Sequence, residues 1–393
     1  MIRTAAAIAL SAILAAADGL PPGKHSNLPC PGSPEDTWNA LVPPGYQPEG
    51  AQVHPVLFIS GPGGNPGFMG VESWAEREGV ILVTINKSRN GPSEPIIASQ
   101  KAVIAAAEAR LRLHPCLRFA MGMSGAAQAS WLLISMRPQQ SAGLLMMGQS
   151  GFDDPFPPKH VAVAYLHGDK EENLPYIDSM ANRLEAAGNP LRRKVVPGGH
   201  VSGSGQDRME LLDWMLTLSR VGHPGLDEAQ RKQGWAILDA RLDALAAIAE
   251  PAARAAAAAA FLELPPVQGR PPMMKRAVEV WRPAALAQAM AAAEGRDRTV
   301  ALLRLHGDAR MKGSPEASQI AKSISEAKKD ATLKPEFDAW SAWQAGAGQI
   351  AAARGEGAKK KLAAQLRAIA TRWPGTAGAR EAEAAAGRLA PAP

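Results

Sequence analysis

The sequence predicts an α/β domain on a mostly parallel sheet with helices on both faces, followed by an all-α domain. Three observations predict it. Between about residues 37 and 220, short apolar runs alternate with longer amphipathic stretches. Beyond residue 220 alanine dominates, and apolar residues recur at three- and four-residue spacing. Within the first region, "CLRFAMG" runs through a small-residue corner, Gly122-Met123-Ser124-Gly125-Ala126, straight into a helical pattern.

The strand-like runs are "HPVLFIS", "GVILVTIN", "CLRFAMG", "AGLLMMG" and "HVAVAYLHG". Each is short, apolar on both faces and ended by glycine or a polar residue, as a strand covered on both sides should be. Helical patterns lie between or after them, at 68–78, 96–113, 125–136, 176–187 and 206–219. Strand-helix alternation of this kind implies right-handed crossovers and a parallel sheet. "NALVPPGY", near residue 40, reads as an earlier strand at an antiparallel edge. In the second region "WAILDARLDALAAIAE" and "KKKLAAQLRAIATRW" carry helix periodicity, and alanine has the highest helix propensity. Breaks at "ELPPVQGRPP", "KGSP" and "RWPGTAG" divide it into six or seven helices with no strand. No repeating period is found, and the terminal "GRLAPAP" reads as frayed.

At the start, Arg3 supplies a positive residue, residues 5–16 a short apolar run, and Ala15-Ala16-Ala17 a small-residue cleavage pattern. This is the form of a secretory signal, too short for the ~20 residues of a membrane span. The expected organisation is therefore a signal peptide at 1–17, an α/β domain at 18–220 and a helical domain at 221–393. The mature protein is expected to be secreted or periplasmic, with no stable membrane span. An oxidising compartment favours one bridge between the two cysteines, Cys30 and Cys116, with two buried thiols as the alternative. A net charge of +6, dispersed cations and few aromatics leave no footprint for nucleic acid. The short run at Lys359, Lys360 and Lys361 reads as a solvated helix face.

The corner at Ser124 matches a nucleophile elbow, G-x-S-x-G, at four of five positions, with Ala126 in place of the last glycine. The rival reading is an ordinary strand-helix junction. A second loop, "ISGPGGNPGF", follows the first core strand and is rich in glycine. In elbow-type hydrolases such a loop gives one oxyanion-hole N–H and the residue after the nucleophile another. The candidate donors are the backbones of Gly61, Gly63, Gly64 and Gly125. A dinucleotide-binding loop is the competing reading, with Lys87 and Arg89 available to a phosphorylated ribose. Against it, Pro66 breaks the glycine pattern and no acid ends the next strand. A third loop, "VVPGGHVSGSG", presents His200 as the candidate base. Between serine and histidine lie Asp169, Glu171 and Glu172, so the chain order is Ser, acid, His. Asp153 and Asp154 are reserve acids. His160, His167 and His200 could form a metal set, but their spacing does not favour one.

With "PPGY", "GPGGN", "WAEREGVILV", "GMSGAA", "LHGDKEENLP" and "VVPGGH" in this order, residues 37–220 resemble an α/β-hydrolase. The resemblance is to the esterase, phospholipase/carboxylesterase and polyhydroxybutyrate-depolymerase-like type. It implies a serine hydrolase cleaving carboxylic esters, small or polymeric, without metal or organic cofactor, and the N-terminal pattern makes that hydrolase a secreted one. Laying the family's HGxxDxxVP segment on "HGDKEENLP" puts the acid at Glu171, with Asp169 as competitor. Ser60 stands where many relatives have histidine, Ala126 replaces a glycine, and Glu171 replaces the usual aspartate. The alternative is a degenerate hydrolase fold that binds rather than cleaves, with a helical interaction domain. Residues 221–393 carry no titratable cluster that resembles a site and are expected to dock on a protein or surface, or to cover the mouth of the active site.

Overall fold

A computed structural model describes residues 19–91 and 93–389. The expected signal peptide lies outside the described residues. Eight strands form one sheet: β1 (Gly23–Cys30), β2 (Ser33–Val42), β3 (His54–Ser60), β4 (Ile81–Ile85), β5 (Leu113–Met123), β6 (Ser141–Met147), β7 (Ala162–Gly168) and β8 (Leu191–Val196). Their order is β1-β2-β4-β3-β5-β6-β7-β8. Strand β2 pairs antiparallel with both β1 and β4, and every pairing from β4 to β8 is parallel. This is the sheet of the α/β-hydrolase fold, as expected. Strands β6 and β7 are buried at every position, which is why both read as unbroken apolar runs.

The helices α1 (Glu72–Glu78), α2 (Ser93–Arg110), α3 (Gly125–Ser135) and α4 (Leu174–Ala187) lie on the crossovers, and α5 (Gly205–Gly222) follows β8. Capping fixes where α5 begins: Ser204 accepts from the Asp207 N–H while Asp207 accepts from the Ser204 N–H. One strand escaped the sequence pattern. β1, "GKHSNLPC", is largely exposed and polar because it pairs on one side only, so it displaces β2 from the expected edge position.

Cys30 and Cys116 are both buried free thiols, which corrects the expected bridge. Cys30 ends β1 and Cys116 lies in β5, four strand positions across the sheet. At ~4.8 Å per strand that is roughly 19 Å, far beyond disulfide reach. Burial pushes both thiols up to about 11, with Asp36 adding to the effect at Cys30.

Two buried histidines hold the amino-terminal ends of the central strands. His114 Nδ1 accepts from the N–H groups of Cys116 and Leu117, at 3.2 and 3.1 Å. His223 donates from Nε2 to the Ser141 carbonyl at 3.1 Å and accepts at Nδ1 from Gly225 at 3.0 Å. Desolvation by burial lowers each to about 4. Both are therefore neutral in the fold and protonated in the unfolded chain between about pH 6.5 and 4. Across that window the unfolded state binds more protons, so stability falls as pH falls, by about 1.4 kcal/mol per pH unit for each histidine. Urea midpoints measured from pH 7 to 4.5 should drop accordingly, and His223→Gln should flatten the slope.

The packed chain divides into two compact units, one ending at Leu238 and the other starting at Asp239. Composition placed the boundary at 220/221. The difference is physical: Leu226 and Leu238 are buried, and a Cβ on Gly234 would lie 2.2 Å from the Arg220 carbonyl oxygen. The segment after α5 therefore packs on it.

Among the described residues, nine α-helices, three single-turn 3₁₀ helices and no strand follow α5, the α-helices being α6 (Glu228–Ala246), α7 (Pro251–Leu262), α8 (Pro265–Gln268), α9 (Pro271–Ala291), α10 (Arg296–His306), α11 (Pro315–Ala327), α12 (Lys334–Ala347), α13 (Glu356–Arg372) and α14 (Ala377–Leu389). The short α8 was not visible in the apolar spacing. In the second unit, Leu362 and Leu366 of α13 pack on Ala382, Ala385 and Ala386 of α14, where small side chains permit close approach.

Candidate active site

Ser124 occupies the one residue between β5 and α3, with φ 57° and ψ −134°. Only glycine adopts this region cheaply, and a serine there stores about 1–3 kcal/mol. Its neighbours explain how the turn is possible. A Cβ on Gly122 would sit 2.3 Å from the Ala126 carbonyl oxygen, and one on Gly125 would sit 2.5 Å from Asn90 Oδ1. Ala126 is fully buried, so a methyl group fits where the motif has glycine. Ser124 donates its backbone N–H to the Met147 carbonyl at 2.9 Å, tying the turn to the end of β6. Its hydroxyl makes no cap to α3, whose N-terminus would favour developing negative charge. Gly122→Ala should therefore lose about 1–3 kcal/mol, the usual cost of overpacking, and a thermal melt should show it as a lower Tm.

The glycine-rich loop lies alongside. Register pairs Ser60 with Gly122, so Gly61 leaves β3 level with the elbow. A Cβ on Gly61 would meet the Gly64 carbonyl oxygen at 2.9 Å, and Gly64 has φ +108°. The loop is held from outside by the Asn90 N–H on the Pro62 carbonyl, 2.9 Å, and by a bridge between Gly63 and Arg89. A carboxamide network adds to this: Asn39 Nδ2 donates to Asn65 Oδ1 and to Asn86 Oδ1, both at 3.1 Å. Ser60 is buried, and its hydroxyl has no hydrogen-bond partner among the described residues.

Glu171 and His200 come together. His200 Nδ1 lies 3.0 and 3.1 Å from the two Glu171 oxygens, and Glu171 is only 4% exposed. Asn173 holds the carboxylate through its backbone N–H at 3.1 Å and its side-chain amide at 3.3 Å. The same amide donates to the Gly148 carbonyl at 3.0 Å. A Cβ on Gly148 would lie 2.8 Å from His200 Cε1, so the pair rests on the residue after Met147, to which Ser124 is bonded. The serine thus follows β5, the carboxylate β7 and the imidazole β8, with the end of β6 lying between serine and carboxylate. Ser124 and His200 are not hydrogen-bonded to each other among the described residues. Such bonds are often long without substrate and tighten when it binds.

Asp169 points elsewhere: its carboxylate accepts the Gly198 N–H at 2.9 Å and holds the turn before His200. Asp153 is exposed and pairs with Arg183. The three histidines of the possible metal set are apart. His160 packs edge-on against His223, while His167 lies against the Gly168 carbonyl and Arg193. Among the described residues no group of three ligating side chains could hold a metal ion. Lys87, the cation considered for a ribose phosphate, lies 3.7 Å from Glu35 and 3.8 Å from Asp36.

Sequence reasoning missed Asn173 and Arg208. Arg208 donates to the carbonyls of Met69, Ser202 and Gly203 at 2.8, 2.7 and 3.1 Å, joining the glycine-rich loop to the histidine loop. An isolated asparagine or arginine in a helix or turn carries no pattern that would mark it.

No protein-family profile and no curated protein matches the chain. Among solved structures it is similar to a thermostable esterase at 14% identity and a TM-score of 0.38, over 46% of this chain and 58% of that one. It is also similar to S-formylglutathione hydrolase from Staphylococcus aureus, at 10% identity and a TM-score of 0.38, over 46% and 92% of the two chains. A third is a fluorophosphonate-binding serine hydrolase of Staphylococcus aureus, at 12% identity and a TM-score of 0.38, over 50% and 99%. Among the described residues, no helix is long and apolar enough to cross a membrane.

Proposed function

We propose that the chain is an exported serine hydrolase that cleaves carboxylic esters, with Ser124 as nucleophile, His200 as base and Glu171 as the acid that orients it. The observation that carries this reading is the strained backbone of Ser124, two strands along the sheet from a buried carboxylate on an imidazole. Strain of this kind is retained where a hydroxyl must be held clear of its own helix.

In the proposed reaction Glu171 holds the proton of His200 on Nδ1, leaving the Nε2 lone pair for Ser124. His200 takes the hydroxyl proton as Oγ bonds to the ester carbonyl carbon. The oxyanion is received by the Gly125 N–H and by an N–H from among Gly61, Gly63 and Gly64. Collapse breaks the C–O bond to the alcohol, which leaves with the proton from His200. Water then repeats the sequence on the acyl-serine and restores the free hydroxyl. The helical unit is proposed to dock on a partner or surface, and residues 1–17 to direct export.

A fluorophosphonate reagent followed by peptide mass mapping tests the reading. An adduct on Ser124 is expected. Folded protein that takes no label would leave the non-catalytic binder as the better account.

A further inference from the structure

A cavity of about 300 Å³ opens beside the elbow, at the small end of the ~300–1,000 Å³ typical of ligand sites. Ser124 and Gly125 line it. Three carboxamides line it too, Asn90, Gln128 and Gln149, beside apolar Ile96, Leu132 and Phe152. Gln128 follows Ser124 by one helical turn and so shares its face of α3. Gln149 gives its Oε1 to the Ser150 N–H at 2.9 Å, which leaves its NH₂ as a donor. Among the described residues no charged side chain lines the cavity, and neither does His200.

We infer that this cavity receives the acyl part of the ester and selects short, uncharged acyl groups that can hydrogen-bond. The inference rests on the serine-hydrolase reading. His200 must reach the departing alcohol oxygen to protonate it, so the alcohol lies on the histidine side of Ser124. A cavity that touches Ser124 and Gly125 but not His200 is on the other side, where the acyl substituent extends. Its chemistry follows from the carboxamides. A long alkyl chain could cover Ile96, Leu132 and Phe152, but it would also strip water from three amides and return no hydrogen bonds there. A carboxylate would lose its hydration without gaining a cation. An ether, hydroxyl or amide on a short chain meets donors and acceptors in a volume that fits it.

The test compares 4-nitrophenyl acetate, methoxyacetate, octanoate and hemisuccinate on the full chain, each kcat/KM divided by the rate of the same ester with hydroxide. Methoxyacetate is expected to exceed octanoate and hemisuccinate at least tenfold. Gln128→Leu should lower the methoxyacetate-to-acetate ratio about tenfold, because a site built to hydrogen-bond a group discriminates through that bond. Octanoate or hemisuccinate as the best substrate, with Ser124 still labelled by fluorophosphonate, would overturn the pocket assignment alone. An unchanged ratio in Gln128→Leu would do the same. Absence of both labelling and turnover of every ester would remove the hydrolase reading and this one with it.

Discussion

Ser124→Ala is expected to lower kcat on a small 4-nitrophenyl ester by up to about 10⁶, the loss typical when a nucleophile is removed from an assembled triad. The substitution removes only Oγ, and alanine inherits the same backbone angles, so the thermal midpoint should barely move. Ser124→Gly separates chemistry from strain. At φ 57° and ψ −134° glycine bears no Cβ penalty, so this variant should be equally inactive yet more stable. A gain of about 1 kcal/mol would raise Tm by roughly 2–4 °C in a unit of this size. Active Ser124→Ala protein, free of wild-type contamination, would refute the nucleophile. An inactive Ser124→Gly with an unchanged or lower Tm would show that the turn is not strained. His200→Ala should match Ser124→Ala in loss, and the double variant should be little worse, since the two act as one unit.

Much of this arrangement was legible because its parts depend on local chemistry. An elbow needs small residues around the serine, and Gly122 and Gly125 have no room for a Cβ. Buried parallel strands need apolar runs, and β6 and β7 supply them without interruption. What was not legible depends on partners distant in the chain. Strand β1 is polar because one side of it faces solvent, so nothing in its own residues marks it. The fate of Cys30 and Cys116 is decided by the strand order, which separates them across the sheet. Asn173, besides holding Glu171, is itself fixed by the carbonyl of Gly148, which precedes it by 25 residues. Asp169 and Glu171 differ by two positions, and the sequence left both open. The turn at Asp169 and Lys170 separates them, sending one carboxylate to the Gly198 N–H and the other to the imidazole.

That separation makes Glu171→Gln the most informative change after that of the proposed nucleophile. Both carboxylate oxygens face His200 Nδ1, at 3.0 and 3.1 Å, and Oε1 also accepts the Asn173 N–H at 3.1 Å. A carboxamide can keep its oxygen on the Asn173 side, which places NH₂ at the other position against the ring. An NH₂ there stabilises the tautomer with Nδ1 unprotonated and Nε2 carrying the proton, the wrong one for accepting from Ser124. It also removes the negative charge that stabilises the imidazolium. A change of this kind costs about 10⁴ in kcat in a well-assembled serine protease. A comparable fall is expected here, with KM little altered. Glu171→Asp should fall between wild type and Gln, because the charge remains but the side chain is one methylene shorter. Asp169→Asn should stay within about tenfold of wild type. Its amide oxygen can still accept the Gly198 N–H, so the turn before His200 keeps its hydrogen bond. The decisive measurement is kcat for these three variants side by side on one ester. A larger loss in Asp169→Asn than in Glu171→Gln would move the orienting role to Asp169. It would also require the 197–200 turn to rearrange when substrate binds.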